Sequence, residues 1–251
     1  MLNQKWRILR YETHPARMNM AIDESIAEMI SFNEAGPTIR FYGWNPSAVS
    51  IGCFQDLEDE VDVQRCKELG IDIVRRRTGG GAVYHDKQGE ITYSVICPET
   101  MVENDINAAY RQICGWIVKA LGMVGISAEF RPINDITVNG KKVSGSAQTR
   151  RSGIFTQHGT VLFSVDTDVM FSVLKVDKEK TASKGSDDPA SLITSLSEGS
   201  KVTKNEVLAA LVYTFAEGKD WYLGALSQDE LSRAEAIASE RYGNDDWTRS
   251  R

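Results

Sequence analysis

Residues Arg75 to His85, RRRTGGGAVYH, set three arginines one residue before three consecutive glycines. Glycine has no Cβ, so such a run lets the backbone close on a ligand and point several N–H groups at an anion. In an extended chain Arg76 faces opposite to Arg75 and Arg77. The run leaves one strand-like segment and returns at once to another, AVYH, which predicts an anion-binding loop in place of a solvated turn. It is neither a GxxxxGK loop nor a GxGxxG turn opening a helix.

A second candidate is PINDITVNGKKVSGSAQTR, Pro132 to Arg150. Asn139-Gly140 between two β-type runs predicts a two-residue hairpin loop. Val138 then pairs with Lys141, Thr137 with Lys142, Ile136 with Val143, and Asp135 with Ser144. Alternation puts Asp135, Thr137, Lys142, Ser144 and Ser146 on a polar face, and Ile136, Val138 and Val143 on the core face. Lys142, not Lys141, becomes the cation of interest, and the small residues of SGSA leave room beside it. The plainer alternative is an exposed hairpin whose Lys–Asp pair contributes little. In a third segment, QHGTVLF, His158 precedes a glycine and is expected to line a pocket; no second histidine stands at metal-ligand spacing. GxSxG and HExxH are absent, and the histidines are His14, His85 and His158. A thiol site in which Cys97 or Cys114 meets His85 stays open, although each cysteine sits in a run that reads as core.

These segments must be held by a scaffold, and hydrophobic periodicity outlines it. Met18, Ile22, Ser25, Ile26, Met29 and Ile30 form one helical stripe, and Ile106, Tyr110, Ile113, Cys114, Ile117, Val118 and Leu121 another. A third helix carries Val207, Leu208, Leu211, Val212 and Phe215 behind a capping box, Thr203 with Glu206. A fourth starts at Ser227 with Glu230 in the same relation and ends at Gly243. Between them lie β-type runs at Thr38 to Trp44, Ala48 to Gly52, Ile71 to Arg76, Glu90 to Ile96 and Phe155 to Val165. Most strands follow one another without an intervening helix, so the fold class is α+β with a mixed or antiparallel sheet. Residues 176–201 are polar and read as a long loop, for which a mobile surface loop and a lid both fit. The remainder reads as a single domain over residues 1–251.

A chain of 251 residues with 41% hydrophobic and 25% charged residues has the composition of a globular protein that folds unaided. Its net charge of −6 opposes broad attraction to nucleic acid or anionic membrane, so any anion site must be local. Four cysteines without CxxC spacing, no apolar leader and no stretch of membrane-spanning length predict reduced thiols and a cytoplasmic location.

The blocks NMAIDESI, RFYGWNPSAVSIGCFQ, RRRTGGGAVYH, IND with KKVSGSAQTR, HGTVLF and a C-terminal ERYGNDDW occur in this order across nearly the whole chain. In these blocks it resembles the lipoate-protein ligase A family, which shares its catalytic-domain fold with biotin protein ligases. The resemblance implies ATP-dependent activation of lipoate or octanoate as acyl-AMP, followed by transfer to a lysine of a lipoyl carrier: the lipoyl domains of 2-oxoacid dehydrogenase E2 subunits or the glycine cleavage H protein. By likeness Lys142 is catalytic, and Arg76, Gly79, Gly80, Gly81, Ala82, Val83, Tyr84, Asn134, Asp135 and Ser144 join it in holding ATP and the adenylate. Arg76, His85, Lys142, Gly145 and His158 form the lipoate pocket, and Asp135 helps hold Mg2+. The segment after Val176 resembles the one that closes over the adenylate. A C-terminal accessory domain, carried by many such ligases, is not evident, which suggests either a separate accessory protein or an enzyme that carries out only part of the reaction alone. Within the family the rival is an octanoyl transferase fed by acyl carrier protein or another lipoyl domain and working through a cysteine upstream of the KVSGSAQ block. Arg131 to Asp135 contain none, which favours the ligase. A non-catalytic acyl- or carrier-binding module is the alternative of another class, and the retained Lys142 and glycine run speak against it.

Overall fold

The computed structural model describes residues 5–176 and 188–251. In chain order its strands are β1 (Trp6–Leu9), β2 (Glu12–His14), β3 (Thr38–Trp44), β4 (Ala48–Ile51), β5 (Asp72–Arg75), β6 (Val83–His85), β7 (Glu90–Pro98), β8 (Ala128–Arg131), β9 (Asp135–Val138), β10 (Lys141–Arg151), β11 (Ile154–Leu162) and β12 (Trp221–Gly224). The α-helices are α1 (Ala16–Ser31), α2 (Leu57–Glu60), α3 (Val63–Leu69), α4 (Ile106–Met123), α5 (Thr167–Val173), α6 (Lys204–Ala216), α7 (Gln228–Ile237) and α8 (Asp245–Thr248).

Period-two alternation makes the large sheet a two-faced layer. Its order is β12-β1-β3-β7-β11-β10-β9-β8, with β2 also on β3. Ile39 and Phe41 of β3 and Ile91, Tyr93, Val95 and Cys97 of β7 point to one face, where Ile113, Cys114, Ile117 and Leu121 of α4 and Val207, Leu211 and Phe215 of α6 cover them. Tyr42, Trp44 and Ile96 point to the other, under Ile22 and Ile26 of α1 and Ala234 and Ile237 of α7. A buried pair, Arg7 Nη1 to Glu230 Oε2 at 2.8 Å, ties β1 to α7. The mixed sheet flanked by helices is the expected α+β class, with parallel pairs at β1–β12, β1–β3 and β2–β3. β1, β8 and β12 are too short to show in the periodicity. Both capping boxes form.

A three-stranded sheet, β5-β4-β6, stands apart. Its apolar side packs on α2, α3 and α5 through Val49, Ile51, Cys66 and Val173. The segment joining β5 to β6 is the arginine–glycine run.

Two expectations change here. The Asn139-Gly140 loop forms, with φ of 50° and 78°, the left-handed pair that a primed turn requires. Val138 pairs with Lys141 and Thr137 with Lys142 as expected, but a β-bulge follows, and Ser144 pairs with Ile136 and Gly145 with Asp135. One extra residue in β10 reverses its alternation. Ser144, expected on the polar face, is fully buried on the core side, and Gly145 takes its place beside Asp135. The expected loop 176–201 lies partly outside the described residues; its described part holds a 3-10 turn, Pro189–Leu192, and Ile193 forms a bridge to Lys142. No helix among the described residues is long and apolar enough to cross a membrane.

Candidate functional site

The small sheet leans toward strands β9 to β11, and between them opens a cleft of about 740 Å³. That falls in the usual range for small-ligand sites. Its walls come from the glycine run (Gly80 to Tyr84), the hairpin (Asn134, Asp135, Thr137, Lys142, Gly145), β11 (His158 to Thr160) and the segment containing Leu192 and Ile193.

The three arginines have three different tasks. Arg75 is buried and donates to the carbonyls of Gly52, Gln55, Trp247 and Thr248. Arg77 reaches Glu24 on α1. Arg76, facing the other way as expected, enters the cleft wall. Its Nε donates to Thr78 Oγ1 at 3.1 Å, its Nη1 to Ser50 O at 2.9 Å, and its Nη2 to the carbonyls of Gly79 at 2.8 Å and Gly81 at 2.7 Å. Nη1 also lies 3.3 Å from Ser50 Oγ, so every guanidinium N–H has a protein acceptor. Arg76 thus moulds the glycine turn and contributes charge, and burial lowers its pKa to about 10. Gly79, expected on the ligand side, is not in the cleft wall; its carbonyl serves Arg76. Gly80 needs its glycine for a φ of 94°. At Gly52 a Cβ would lie 2.2 Å from the Gly80 carbonyl.

Opposite the glycine run stands Lys142. Its Nζ is 2.7 Å from Asp135 Oδ1, and its side chain is 42% exposed, so the pair adds little stability while leaving the ammonium open to the cleft. Gly145 makes the space it occupies: a Cβ there would come 2.8 Å from Nζ and 2.9 Å from Cε. The backbone of Lys142 is clamped by Thr194, whose N–H donates to its carbonyl at 3.0 Å. Asn134 Nδ2 donates to Ser146 O and Ser146 N to Asn134 O, fixing the entry to β9 against β10.

Deeper in, two histidines are held in polar chains. Ser50 Oγ lies 2.8 Å from His85 Nε2, and His85 Nδ1 lies 2.9 Å from Glu90 Oε1, with Trp44 stacked on the imidazole at 3.9 Å. Thr78 Oγ1 meets His158 Nε2 at 2.8 Å. Burial, then the charges of Arg76 and His85, push the His158 pKa down to about 3, so it is a neutral wall residue at ordinary pH. It stands between the cleft and a smaller cavity of about 170 Å³ lined by Asp23, Glu24, Glu28 and Arg77. His85 is engaged by Ser50 and Glu90, not by a thiol as had stayed open. Burial raises the Cys114 thiol to about 11 and the Cys97 thiol to about 12, and Cys114 contacts Ser146 Oγ at 3.7 Å behind β10.

Of the residues singled out from sequence, Arg76, Gly80 to His85, Asn134, Asp135, Lys142, Gly145 and His158 come together in the cleft, while Gly79 and Ser144 do not. Ser50, Trp44, Gly159 and Thr160 were missed. Gly159 carried a signal, glycine inside a β run: a Cβ there would lie 2.7 Å from Ser146 Oγ and 2.8 Å from the Gly145 carbonyl. Among the described residues no group of three or more His, Cys, Asp or Glu side chains is placed to hold a metal ion, and the Asp135 carboxylate expected to take Mg2+ is paired with Lys142.

The family model for the lipoyl protein ligase A/B catalytic domain matches residues 15–216. The octanoyltransferase LipM of Brevibacillus brevis is 33% identical over 97% of this chain and 98% of its own length, and that of Staphylococcus aureus is 32% identical over 98% and 99%. A structure of an archaeal bi-partite lipoate protein ligase with its E2 lipoyl domain, from Thermoplasma acidophilum, superposes with a TM-score of 0.87 at 31% identity, covering 98% of this chain and 96% of that one. Lipoate-protein ligase A bound with ATP gives 0.84 at 29% identity, covering 98% of each chain. The fold expectation holds. The expectation of an ATP-dependent ligase does not, because these full-length relatives are octanoyltransferases; ATP and Mg2+ lose their support with it. Its weak step was the weight given to a missing cysteine between Arg131 and Asp135. A thioester is already an activated acyl group, so an amine can take it without any enzyme thiol.

Proposed function

Because the chain belongs to the lipoyl protein ligase A/B catalytic domain family, we propose that it transfers an octanoyl group from a carrier thioester to a lysine of a lipoyl domain. Full-length similarity to octanoyltransferases supports the reaction class, and a lipoyl domain accompanies the archaeal structural relative. The observation that carries the proposal within this chain is Lys142. An ammonium stands half-exposed at the wall of an open cleft, held by Asp135 and given its space by Gly145.

The acceptor's neutral ε-amine attacks the thioester carbonyl carbon. The carbonyl oxygen becomes an oxyanion, which the Lys142 ammonium stabilises as a fixed positive charge. The C–S bond then breaks, the sulfur leaves as a thiol after taking the proton shed by the nitrogen, and an amide remains. The glycine run lines the facing wall with backbone and lets the thioester approach closely. An octanoyl chain of eight carbon-sized groups at roughly 30 Å³ each occupies about 240 Å³. Most of the 740 Å³ cleft is therefore left for the donor's arm and the incoming lysine.

The test mixes purified protein, octanoyl-loaded acyl carrier protein and unmodified lipoyl domain without nucleotide, and weighs the domain by mass spectrometry. Octanoylation supports the proposal. Modification that occurs only with free acid plus ATP overturns it.

A further inference from the structure

The C-terminal block ERYGNDDW takes no part in the chemistry above, yet its residues are built into contacts that end on the arginine–glycine run. Arg241 and Tyr242 both meet the buried carboxylate of Glu24, Tyr242 through its hydroxyl at 2.8 Å, and the same carboxylate receives Arg77. Gly243 closes the preceding π turn (Ala238–Tyr242), its N–H donating to Ala238 O at 2.7 Å; a Cβ there would lie 2.9 Å from that carbonyl. Asn244 caps α8 by accepting from Asp246 N–H. Trp247 donates from Nε1 to Arg75 O at 2.9 Å, and Arg75 answers by donating Nε to Trp247 O and Nη2 to Thr248 O.

Arg75 and Arg77 are thus each fastened, directly or through Glu24, to a segment some 170 residues away. Between them sits Arg76, whose guanidinium sets the carbonyls of Gly79 and Gly81. Arg75 also grips Gly52 O and Gln55 O, and that loop supports the run from behind, Cys53 N–H donating to Thr78 O at 3.0 Å. Three glycines in succession have more backbone freedom than any other tripeptide, so an ordered turn there needs restraint at its ends. Arg75 and Arg77 are where that restraint is applied.

We infer that residues 240–248 form a positioning strap which fixes the arginine–glycine loop, so that binding of the acyl donor depends on Trp247 and Arg241 although neither lines the cleft. Trp247 and Arg241 are positioning residues acting through Arg75 and, by way of Glu24, Arg77. The effect on donor binding rests on the transferase reading, whereas the effect on loop order does not.

The experiment compares wild type with Trp247→Ala, Trp247→Phe and Arg241→Gln in the full chain. Amide hydrogen exchange over residues 77–82 reports loop order without any substrate. Trp247→Ala is expected to speed exchange there and to raise the donor KM by roughly tenfold, the effect of about one lost hydrogen bond, while kcat and the acceptor KM stay within about threefold. Trp247→Phe keeps an aromatic ring but loses the indole N–H and its five-membered ring, and is expected to recover part of the effect. Folded Trp247→Ala and Arg241→Gln proteins with wild-type exchange over 77–82 overturn the strap. So does a loss in kcat and both KM values alike that merely tracks a lowered Tm. If no form transfers from a thioester, the transferase reading fails while the exchange result still decides the strap.

Discussion

Gly145→Ala tests the geometry around Lys142 without touching Lys142 itself. The new methyl would stand 2.8 Å from Nζ and 2.9 Å from Cε, where ordinary contact begins at 3.4 Å, so the ammonium must retreat by about 0.6 Å or more. It is able to, because it is the far end of a flexible side chain that is 42% exposed. Gly145 does not have the left-handed φ that would strain alanine, so the cost in stability is small, under about 1 kcal/mol. The cost in rate is not. Losing one aligned oxyanion partner typically lowers kcat by about 10²–10³, and displacements approaching 1 Å alone reach about 10². We expect Gly145→Ala to lower kcat for octanoyl transfer by about 10²-fold with Tm within about 4 °C. Lys142→Ala should lose at least as much and Lys141→Ala almost nothing. The double variant Gly145→Ala, Lys142→Ala should be no worse than Lys142→Ala, since both remove one interaction. The assay is single-turnover acylation of a lipoyl domain followed by mass spectrometry. A Gly145→Ala enzyme with wild-type kcat, or losses that multiply in the double variant, would refute this placement of the ammonium.

Other consequences can be checked separately. Ser50, His85 and Glu90 have the spacing of a nucleophile relay, but the account gives them an orienting part. Ser50→Ala should keep kcat within about tenfold with no acyl-serine formed; a loss of about 10³ together with an adduct on Ser50 would make it the nucleophile. His158 takes its proton only near pH 3 when folded and near 6.5 when unfolded. Between those values the unfolded state binds the extra proton, so stability falls as pH drops below 6.5. At pH 5 the loss is about 2 kcal/mol relative to neutral pH, and urea unfolding of His158→Asn should lack that part of the pH dependence; equal slopes would contradict it. Ser144 Oγ is buried without a hydrogen-bond partner among the described residues, so Ser144→Ala should leave activity unchanged and keep or raise the Tm. Loss of activity there would put Ser144 back on the cleft face.

Much of this was legible in the sequence, for identifiable reasons. The helices α4, α6 and α7 bury one stripe each behind local side-chain caps, and α1 carries an apolar stripe although it is buried nearly all round, so periodicity finds them. The long strands β3, β7 and β11 alternate with period two. The short strands β1 and β12 pair with each other across more than 200 residues of sequence, and strands of four residues leave little local trace. At the site, strand alternation placed Lys142 and not Lys141 beside Asp135, because the turn fixes the first two pairs of the hairpin. It then failed at Ser144, because a bulge is decided by packing of Val143 and Ser144 against the core and not by the turn. The glycine run was visible as a segment that lines a cleft, but the division of work among Arg75, Arg76 and Arg77 depends on Glu24, Trp247 and Thr248, which only folding brings near. The ligase expectation rested on Lys142, Asp135, the glycine run and a missing cysteine together, residue types that an acyl transferase of this fold can equally carry, and the octanoyltransferase relatives overturn it.

The acyl donor separates a transferase from a ligase. Octanoyl-loaded acyl carrier protein and an equal concentration of deuterated octanoate with ATP and Mg2+, offered together to the enzyme and one lipoyl domain, make the two routes distinguishable by product mass. The account predicts unlabelled octanoyl-lysine, formed at the same rate when ATP is left out and slowed about 10²-fold or more by Lys142→Ala. Deuterated product that requires ATP would contradict it.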